Sequence, residues 1–239
     1  EVGSEATANA LAAELERAGY RVVQVEAKPR KQSAPPPFIT STLQQVAGNS
    51  LRLNTSMTMR IAQELYEGVE LGAAGPTGLI TYMRTDSVEV AREAQEQARG
   101  YIAERFGAAF VPERPNVYRS RKSAQEAHEA IRPTDVRRTP ESVAAHLSPQ
   151  QMRLYRLIWN RFVASQMTPA AYLEHTADVA AEGSHLTHAY LFRAMDRETT
   201  FQGYLVVYDV KDADPGDEEA PGRTLPTLRT GQPCLLREL

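Results

Sequence analysis

The chain has 239 residues, a net charge of −3, 42% hydrophobic residues and 24% charged residues. This apolar fraction excludes a wholly disordered chain, and no run of about 18 apolar residues predicts a membrane span. Because the net charge is negative, a nucleic-acid partner has to be argued from a local basic surface and not from bulk charge.

The cysteine content and the first residues predict the compartment. The single cysteine, Cys234, excludes an intrachain disulfide and a cysteine-rich zinc site, which favours a reducing cytosol. The opening residues Glu1-Val2-Gly3-Ser4 contain no initiating methionine, basic leader or apolar stretch of a signal peptide. We therefore expect a segment cut from a longer cytoplasmic polypeptide that has no membrane partner.

The first 34 residues predict a helix followed by a strand. Residues 4–18 are rich in Ala and Glu with apolar residues at helical spacing. Residues 20–26 are β-branched and mostly alternating, which is typical of a strand. The basic and then proline-rich segment 28–37 predicts a linker or domain boundary, because three consecutive prolines continue neither element.

The next region predicts a pair of short helices. Ser41 and Gln44 have the spacing of a capping box, which opens a helix that ends near Gly48. A second helix covers about 55–67. The tight polar turn between them predicts a unit like a helix-turn-helix, although many plain helical hairpins share that pattern.

Two longer helices follow a predicted loop at 72–78. Asp86 and Glu89 predict the cap of an amphipathic helix that ends at Phe106. The sequence Ser148-Pro149-x-Gln151 opens another helix at 149–166. Its core candidates are Leu154, Leu157, Ile158, Trp159 and Val163.

After Pro169 the pattern becomes that of an antiparallel sheet. Short segments rich in Val, Tyr, Leu and Thr are separated by Gly, Pro or Asp, and they predict strands at 172–181, 185–195, 203–210 and 234–239. The predicted fold class is α+β. A helical domain at 35–169 is inserted into a discontinuous β-rich domain formed by 1–34 and 170–239.

The segment Gly78–Ser87 carries the most informative chemistry. Side chains two apart in an extended segment share a face, so Tyr82 and Arg84 are predicted to point one way and Met83 the other. One interpretation is a surface tyrosine beside a structural arginine. The other is a nucleophilic phenol whose charge is stabilised by a guanidinium that also grips a phosphate, next to a helix start that favours anions.

A second basic segment supports the nucleophile interpretation. Between residues 114 and 138, only three carboxylates face seven cations, which are Arg114, Arg119, Arg121, Lys122, Arg132, Arg137 and Arg138. Such a local excess is what a phosphate-tracking groove requires. His128 and Arg132 lie four apart, so on one helical turn they would present donors to the same phosphate. The alternative is that His128 is an ordinary structural histidine.

Three blocks of the sequence resemble the signature segments of bacterial type IA DNA topoisomerases. They are PPFITSTLQQ at 36–45, GLITYMRTDS at 78–87 and QEAHEAIRPTD at 125–135. The blocks occur in the family's order, and the resemblance covers essentially the whole chain. Met83 is similar to the topoisomerase I branch, whereas topoisomerase III relatives tend to have proline there and reverse gyrases another residue.

The resemblance implies an activity and a set of site residues. Tyr82 would attack a DNA phosphorus, form a 5′-phosphotyrosine link and free a 3′-hydroxyl, before strand passage and religation relax negative supercoils without ATP. Arg84 would hold the scissile phosphate, and His128 would contact a nearby phosphate with support from Arg132. The other implied pocket positions are Gln63, Glu67, Thr81, Thr85 and Asp86.

The resemblance also implies partners outside this sequence. The family binds Mg²⁺ in a Toprim domain with a catalytic glutamate, a lysine and a DxDxE cluster, and this sequence contains neither that domain nor a zinc-ribbon tail. The acidic run 212–219 is interpreted as a solvated hairpin loop. We expect the central part of a toroidal enzyme, with no metal bound here and no cleavage by this segment alone. The implied partners are single-stranded or negatively supercoiled DNA and the Toprim domain of the same polypeptide, in the bacterial cytoplasm at the nucleoid.

Two other hypotheses stay open at the level of the sequence. The chain could be a non-catalytic single-stranded DNA-binding module, because phosphate contacts persist without a metal. For 1–34 and 170–239, a purely structural hinge is the simplest interpretation, because strand-forming residues need only a packing explanation.

Overall fold

The structure, a computed structural model, describes residues 3–72, 75–118, 128–208 and 225–237. The chain divides into two compact units. The sheet unit consists of Glu1–Arg30, Ala171–Thr200 and Glu219–Leu239, and the helical unit consists of Lys31–Ala170 and Phe201–Glu218. Helices and antiparallel strands both occur, which confirms the α+β class. No helix in the described ranges is long and apolar enough to cross a membrane.

The sheet unit begins with the predicted helix and strand. Helix α1 (Glu5–Glu16) is capped by Ser4, and strand β1 (Gly19–Gln32) follows. The predicted linker at 28–37 is wrong as far as Gln32, because β1 continues through it. Within this stretch Arg30 forms an ion pair of 3.1 Å with Glu174 on the neighbouring strand.

The sheet has the order β5-β4-β1-β6, in which the added strands are β4 (Ala170–Glu182), β5 (Leu191–Phe201) and β6 (Pro233–Cys234). Strands β1 and β6 are antiparallel, with Tyr20 opposite Cys234. Arg193 on β5 donates hydrogen bonds of 2.7 and 2.8 Å to both carboxylate oxygens of Asp178 on β4. These bonds lower the pKa of Asp178 and tie the two strands together.

The strand predicted at 203–210 is wrong as far as Tyr208, and residues 209 and 210 lie outside the described residues. Residues Gly203–Val206 form a 3₁₀ helix that belongs to the helical unit. Gly203 has φ of 51°, and a Cβ there would lie 2.5 Å from the carbonyl oxygens of Thr168 and Pro169. Only glycine fits such a close turn, so the chain bends where the apolar pattern favours extension.

The helical unit is built on five α-helices among its described residues: α2 (Thr40–Leu51), α3 (Thr55–Glu67), α4 (Arg92–Phe106), α5 (Pro140–Val143) and α6 (Pro149–Ser165). Helix α6 packs against α2 and α3. Its capping box between Ser148 and Gln151 is present as predicted, and all five of its predicted core residues are buried. Short 3₁₀ helices at Ala108–Phe110 and Ala144–His146 join the elements.

The boundaries of α2 differ from the prediction. Ile39 is the N-cap residue, and its backbone N–H donates to the Thr42 hydroxyl at 3.1 Å, so the capping box predicted at Ser41 is wrong. The helix continues past Gly48 to Leu51 and ends at Arg52, whose φ of 58° lies in the left-handed region.

Helix α4 begins at Arg92 and not at Asp86, so the predicted helix start beside Tyr82 is absent. The intervening residues are held in an extended conformation by a distant segment. Ala130 N–H donates to the Glu89 carbonyl at 2.8 Å, and Ala91 N–H donates to the Glu129 carboxylate at 2.8 Å. These tertiary bonds outweigh the local capping pattern.

Two tyrosines, the buried Tyr155 and the half-buried Tyr118, make the helical unit sensitive to alkali. Burial raises the pKa of Tyr118 to about 12 and also raises the pKa of Tyr155. Their hydroxyls donate to backbone carbonyls, that of Tyr118 to Ala34 and Ser165 and that of Tyr155 to Arg138. Because the folded state favours the neutral phenols, their contribution to stability is intact below the unfolded pKa of about 10.

We therefore expect the free energy of unfolding to fall as the pH rises above 10. Each such tyrosine removes up to about 1.4 kcal/mol per pH unit between its unfolded and folded pKa values. Urea unfolding midpoints measured between pH 9 and 11.5 test this, and Tyr118→Phe should show the shallower pH dependence. An equal dependence in that variant would contradict the role of Tyr118.

Candidate active site

The three sequence blocks with site candidates pair with one another through their backbones. Ile131 N–H donates to the Phe38 carbonyl at 2.8 Å, and these two residues form an antiparallel bridge. A second bridge joins Ile80 to Pro133. Thr81 N–H donates to the Arg132 carbonyl at 2.9 Å. The segment 128–134 therefore lies between the start of α2 and the segment that carries Tyr82.

The exposure of the side chains alternates along the tyrosine segment. Tyr82 is 45% exposed and Met83 only 1% exposed. Arg84 and Asp86 are exposed, and Thr85 between them is buried. Tyr82 and Arg84 are both exposed while Met83 is buried, and the backbone bends at Met83 and Arg84 where the sequence predicted an extended segment.

The tyrosine segment is packed against the last turn of α3. Leu79 N–H donates to the Leu65 carbonyl at 2.7 Å. A Cβ on Gly78 would lie 2.7 Å from the Tyr66 carbonyl oxygen, so this close approach requires glycine. The Tyr66 and Tyr82 rings meet edge to face, with centroids 5.3 Å apart.

The insertion before the tyrosine segment folds as a small hairpin. Strands β2 (Val69–Glu70) and β3 (Pro76–Thr77) pair antiparallel and return the chain to the end of α3. Glu67 therefore lies at the helix end beside this return, where its carboxylate accepts a hydrogen bond from the Gln63 side chain. The structure thus brings both predicted residues onto one turn of α3.

A cleft of about 620 Å³ opens beside the tyrosine segment. It brings together three of the predicted site residues with exposed polar groups, Arg84, Asp86 and His128. The other lining residues are Ile39, Thr40, Ser41, Gln44 and Thr85. The cleft is therefore lined by a guanidinium, an imidazole, hydroxyl groups and a side-chain amide. Groups of this kind donate hydrogen bonds to phosphate oxygens.

Thr40 fixes the backbone of the arginine segment. Its hydroxyl lies 2.8 Å from the Met83 carbonyl and 3.0 Å from the Thr85 carbonyl, and it accepts from Thr85 N–H at 2.9 Å. Thr40 N–H also donates to the Thr85 carbonyl at 2.9 Å. Arg84 therefore lies on a backbone that is clamped on both sides.

We expect Thr40→Val to lower the free energy of unfolding by about 1–3 kcal/mol, because it leaves the half-buried N–H of Thr85 without its acceptor. Thr40→Ser keeps the hydroxyl and should cost much less. Urea unfolding of both variants measures the difference. A valine variant as stable as the serine variant would show that the clamp contributes nothing.

Thr81, Thr85 and Arg132 are engaged in holding the segments together. The Thr81 hydroxyl donates to the Ala130 carbonyl at 2.7 Å and accepts from Arg132 N–H at 3.0 Å. The Thr85 hydroxyl accepts from Ser87 N–H at 3.0 Å. These threonines contribute to the site through the backbone they anchor.

The prediction that His128 and Arg132 share a helical turn is wrong. Residues 128–130 have no helical structure, and Ile131 and Pro133 form the bridges described above. The guanidinium of Arg132 is 12% exposed and donates to the Glu129 carboxylate at 2.6 Å and to the Pro133 carbonyl at 3.0 Å. It is directed at protein groups, whereas His128 lines the cleft.

The predicted basic groove is described only in part. Arg119, Arg121 and Lys122 lie outside the described residues. Among the described cations of this segment, Arg137 pairs with the Glu104 carboxylate at 2.7 Å. Arg138 donates to the Thr134 hydroxyl at 3.3 Å. These two side chains have protein partners on the surface.

The donors of the cleft do not fit a complete magnesium site. Mg²⁺ prefers several oxygen ligands, with carboxylates among them, and Asp86 is the carboxylate among the lining residues of the cleft. Within the described ranges, no group of three or more His, Cys, Asp or Glu side chains could hold a metal ion. The acidic run 212–219 lies outside the described residues.

Sequence reasoning missed two contributors to the site. Thr40 lies in the first signature block, but its hydroxyl role depends on Thr85, which is 45 residues away in the chain. Tyr66 received no role from the sequence, yet it is 40% exposed and contacts Tyr82. The sequence feature that would have indicated Tyr66 is its position as an aromatic residue in the last turn of the helix, just before the tyrosine segment.

Comparisons with known proteins agree on one family. A family model described as DNA topoisomerase matches residues 1–239. DNA topoisomerase 1 of Xylella fastidiosa strain Temecula1 is 47% identical over 213 residues, which are 88% of this chain and 26% of that protein. DNA topoisomerase 1 of Helicobacter pylori strain 26695 is 40% identical over 240 residues, 100% of this chain and 31% of that protein.

A solved structure gives the same result. Full-length topoisomerase I from Thermotoga maritima is similar with a TM-score of 0.74 and 37% identity, over 95% of this chain and 34% of that chain. The chain thus spans about a quarter to a third of the length of these relatives.

Proposed function

The chain belongs to the DNA topoisomerase family, and we propose that it is the tyrosine-bearing part of a type IA enzyme that cuts and reseals one DNA strand. The observation that carries this proposal is the exposed phenol of Tyr82 two residues before Arg84, which lines a cleft together with His128. Tyr82 supplies an exposed nucleophile and Arg84 supplies a guanidinium two residues later, and attack on a phosphodiester needs both groups.

In the cleavage step the phenolic oxygen of Tyr82 bonds to phosphorus as the bond from phosphorus to the 3′ oxygen breaks. The phenol loses its proton, and the departing 3′ oxygen gains one and becomes a hydroxyl. One phosphodiester is exchanged for another, so resealing by the reverse step needs no ATP. Strand passage between the two steps relaxes negative supercoils.

The cleft residues supply charge and orientation in this step. Arg84 neutralises the scissile phosphate, where a fixed donor stabilises the charge that develops in the transition state. His128, which lines the same cleft, donates to a nearby phosphate, and Asp86 contributes a carboxylate to that cleft. Gln63 and Glu67 lie on the α3 side of the tyrosine, while Thr81, Thr85 and Arg132 hold the backbones that carry the reacting groups.

The proposal also includes a magnesium ion, a DNA substrate with unpaired bases and a location in the bacterial cytoplasm. Magnesium would neutralise phosphate charge, with ligands from a Toprim domain of the same polypeptide. The substrate is single-stranded DNA or the unpaired regions of negatively supercoiled DNA, in the bacterial cytoplasm at the nucleoid. The helical unit carries the chemistry, and the sheet unit forms the arch of a toroid.

The experiment that tests this proposal traps the covalent adduct. The full-length polypeptide that carries this segment is incubated with Mg²⁺ and a single-stranded oligonucleotide, denatured and digested, and the DNA-linked peptide is identified by mass spectrometry. We expect the modification on Tyr82, and no adduct with the 239-residue chain alone. An adduct on another residue would refute the assignment. Salt-dependent DNA binding without any adduct in the full-length protein would favour the non-catalytic binding module instead.

A further inference from the structure

We propose that Tyr66 is a positioning residue that holds the ring of Tyr82 in the orientation from which its oxygen attacks. This inference rests on the proposed function, because it assigns a role relative to the nucleophile. Tyr66 lies outside the three signature blocks at 36–45, 78–87 and 125–135.

The contact between the two rings is specific. Their centroids are 5.3 Å apart and their planes are inclined at 64°, which is an edge-to-face arrangement. Aromatic pairs favour this geometry because the positive ring edge meets the negative ring face. Among the described residues, Tyr66 is the aromatic side chain in contact with Tyr82.

The contact with Tyr66 restrains the ring of Tyr82, which the protein packs only in part. Its side chain is 45% exposed, so the core that holds Met83 does not surround it. An exposed tyrosine rotates about two side-chain torsions, and only a narrow range of orientations places the oxygen in line with the breaking bond. Tyr66 on one side of the ring removes orientations that are not productive.

Tyr66 is itself held at a fixed distance from the tyrosine segment. Its neighbour Leu65 is buried and accepts the Leu79 N–H bond of 2.7 Å. The Tyr66 carbonyl packs directly against Gly78, where no side chain fits between the two backbones. These two backbone contacts fix the position of the Tyr66 backbone relative to the tyrosine segment.

A different role would be that Tyr66, 40% exposed, is a platform for a DNA base. The two roles have different kinetic signatures. Base stacking stabilises bound DNA, so its loss weakens the dissociation constant by roughly fivefold or more. Loss of positioning slows adduct formation at saturating DNA and leaves the dissociation constant unchanged.

The test uses the full-length polypeptide with Mg²⁺ and a single-stranded oligodeoxynucleotide. Tyr66→Leu removes the ring but keeps an apolar helix-forming residue, Tyr66→Gln is a second variant without a ring, and Tyr66→Phe is the matched control that keeps it. Single-turnover adduct formation, the dissociation constant and the urea midpoint are measured for each.

We expect the Leu and Gln variants to form the adduct about 3- to 10-fold more slowly at unchanged affinity, and the Phe variant to react within about twofold of the parent. Weakened binding with an unchanged saturated rate would overturn positioning in favour of base stacking. Unchanged rates in both ring-less variants, or equal slowing in the Phe variant, would also overturn it. An adduct that persists in Tyr82→Phe would instead refute the proposed function.

Discussion

Replacing Tyr82 with phenylalanine is expected to reduce covalent adduct formation by at least about 10⁴-fold in the full-length polypeptide with Mg²⁺. The variant keeps the ring and its contact with Tyr66 and removes only the oxygen that would bond to phosphorus. DNA binding should persist, because Arg84 and His128 line the cleft independently of that oxygen. The adduct is quantified on denaturing gels after single-turnover incubation, and binding is measured in parallel.

The structure offers a closely matched control for this variant. Tyr66 is similarly exposed, at 40% against 45% for Tyr82, and their rings are 5.3 Å apart. Tyr66→Phe removes a phenolic oxygen from the same surface and should retain adduct formation. If Tyr82→Phe retained the adduct and Tyr66→Phe lost it, the wrong tyrosine would have been named as nucleophile.

Local sequence patterns predicted the elements whose stabilisation is local. Helix α6 has its capping box, its proline in the first turn and its buried face within one stretch of the chain, and its start agrees with the prediction. The alternation of exposed and buried side chains around Met83 is likewise a pattern of neighbouring residues, although the backbone bends at Met83 and Arg84. In both cases the residues that decide the structure are sequence neighbours.

Elements that depend on distant partners were predicted wrongly. Asp86 and Glu89 have the spacing of a helix cap, but the Glu129 side chain binds Ala91 N–H from 38 residues away and α4 starts later. His128 and Arg132 have helical spacing, but the bridge between Phe38 and Ile131 extends the backbone there. A single sequence does not contain these pairings, so spacing alone gave the wrong local structure.

At the candidate site, too, the residues with chemical groups could be predicted from the sequence, but the residues that position them could not. Resemblance to a family pointed to the blocks and to the residues with chemical groups, such as Arg84 and His128, which the fold brings to one cleft. It did not reveal which residues hold those blocks together. Thr40 and the buried Arg161 hold the blocks together. Thr40 lies in a signature block, but no sequence motif indicates this structural role for either residue.

Arg161 on α6 is expected to be the strongest single contributor to the stability of the helical unit. It is 1% exposed, and its Nε donates to the Pro36 carbonyl at 2.7 Å. Its guanidinium also hydrogen-bonds the Tyr208 hydroxyl and lies 4.8 Å from the centroid of the Phe38 ring. A cation–π contact that is shielded from water stabilises the folded state more than an exposed cation–π contact does.

We expect Arg161→Ala to lower the free energy of unfolding by about 3–5 kcal/mol. The change opens a cavity in the core and removes the guanidinium that donates to the Pro36 carbonyl. Arg161→Lys keeps the charge but cannot reproduce the planar fork, so it should recover only part of this loss. Urea unfolding at neutral pH measures both variants.

The control is Arg156→Ala, one and a half turns earlier on the same helix. Arg156 is 52% exposed and lies 3.6 Å from the Glu141 carboxylate, a surface pair whose loss should change stability by no more than about 0.5 kcal/mol. Equal losses in the two alanine variants would show that the buried contacts of Arg161 contribute no more than an exposed pair.

Arg161→Ala should also slow adduct formation in the full-length polypeptide, even where the variant remains folded. The reason is that Phe38, on which the guanidinium stacks, bridges to Ile131 beside the tyrosine segment. Arg156→Ala should leave the rate of adduct formation unchanged.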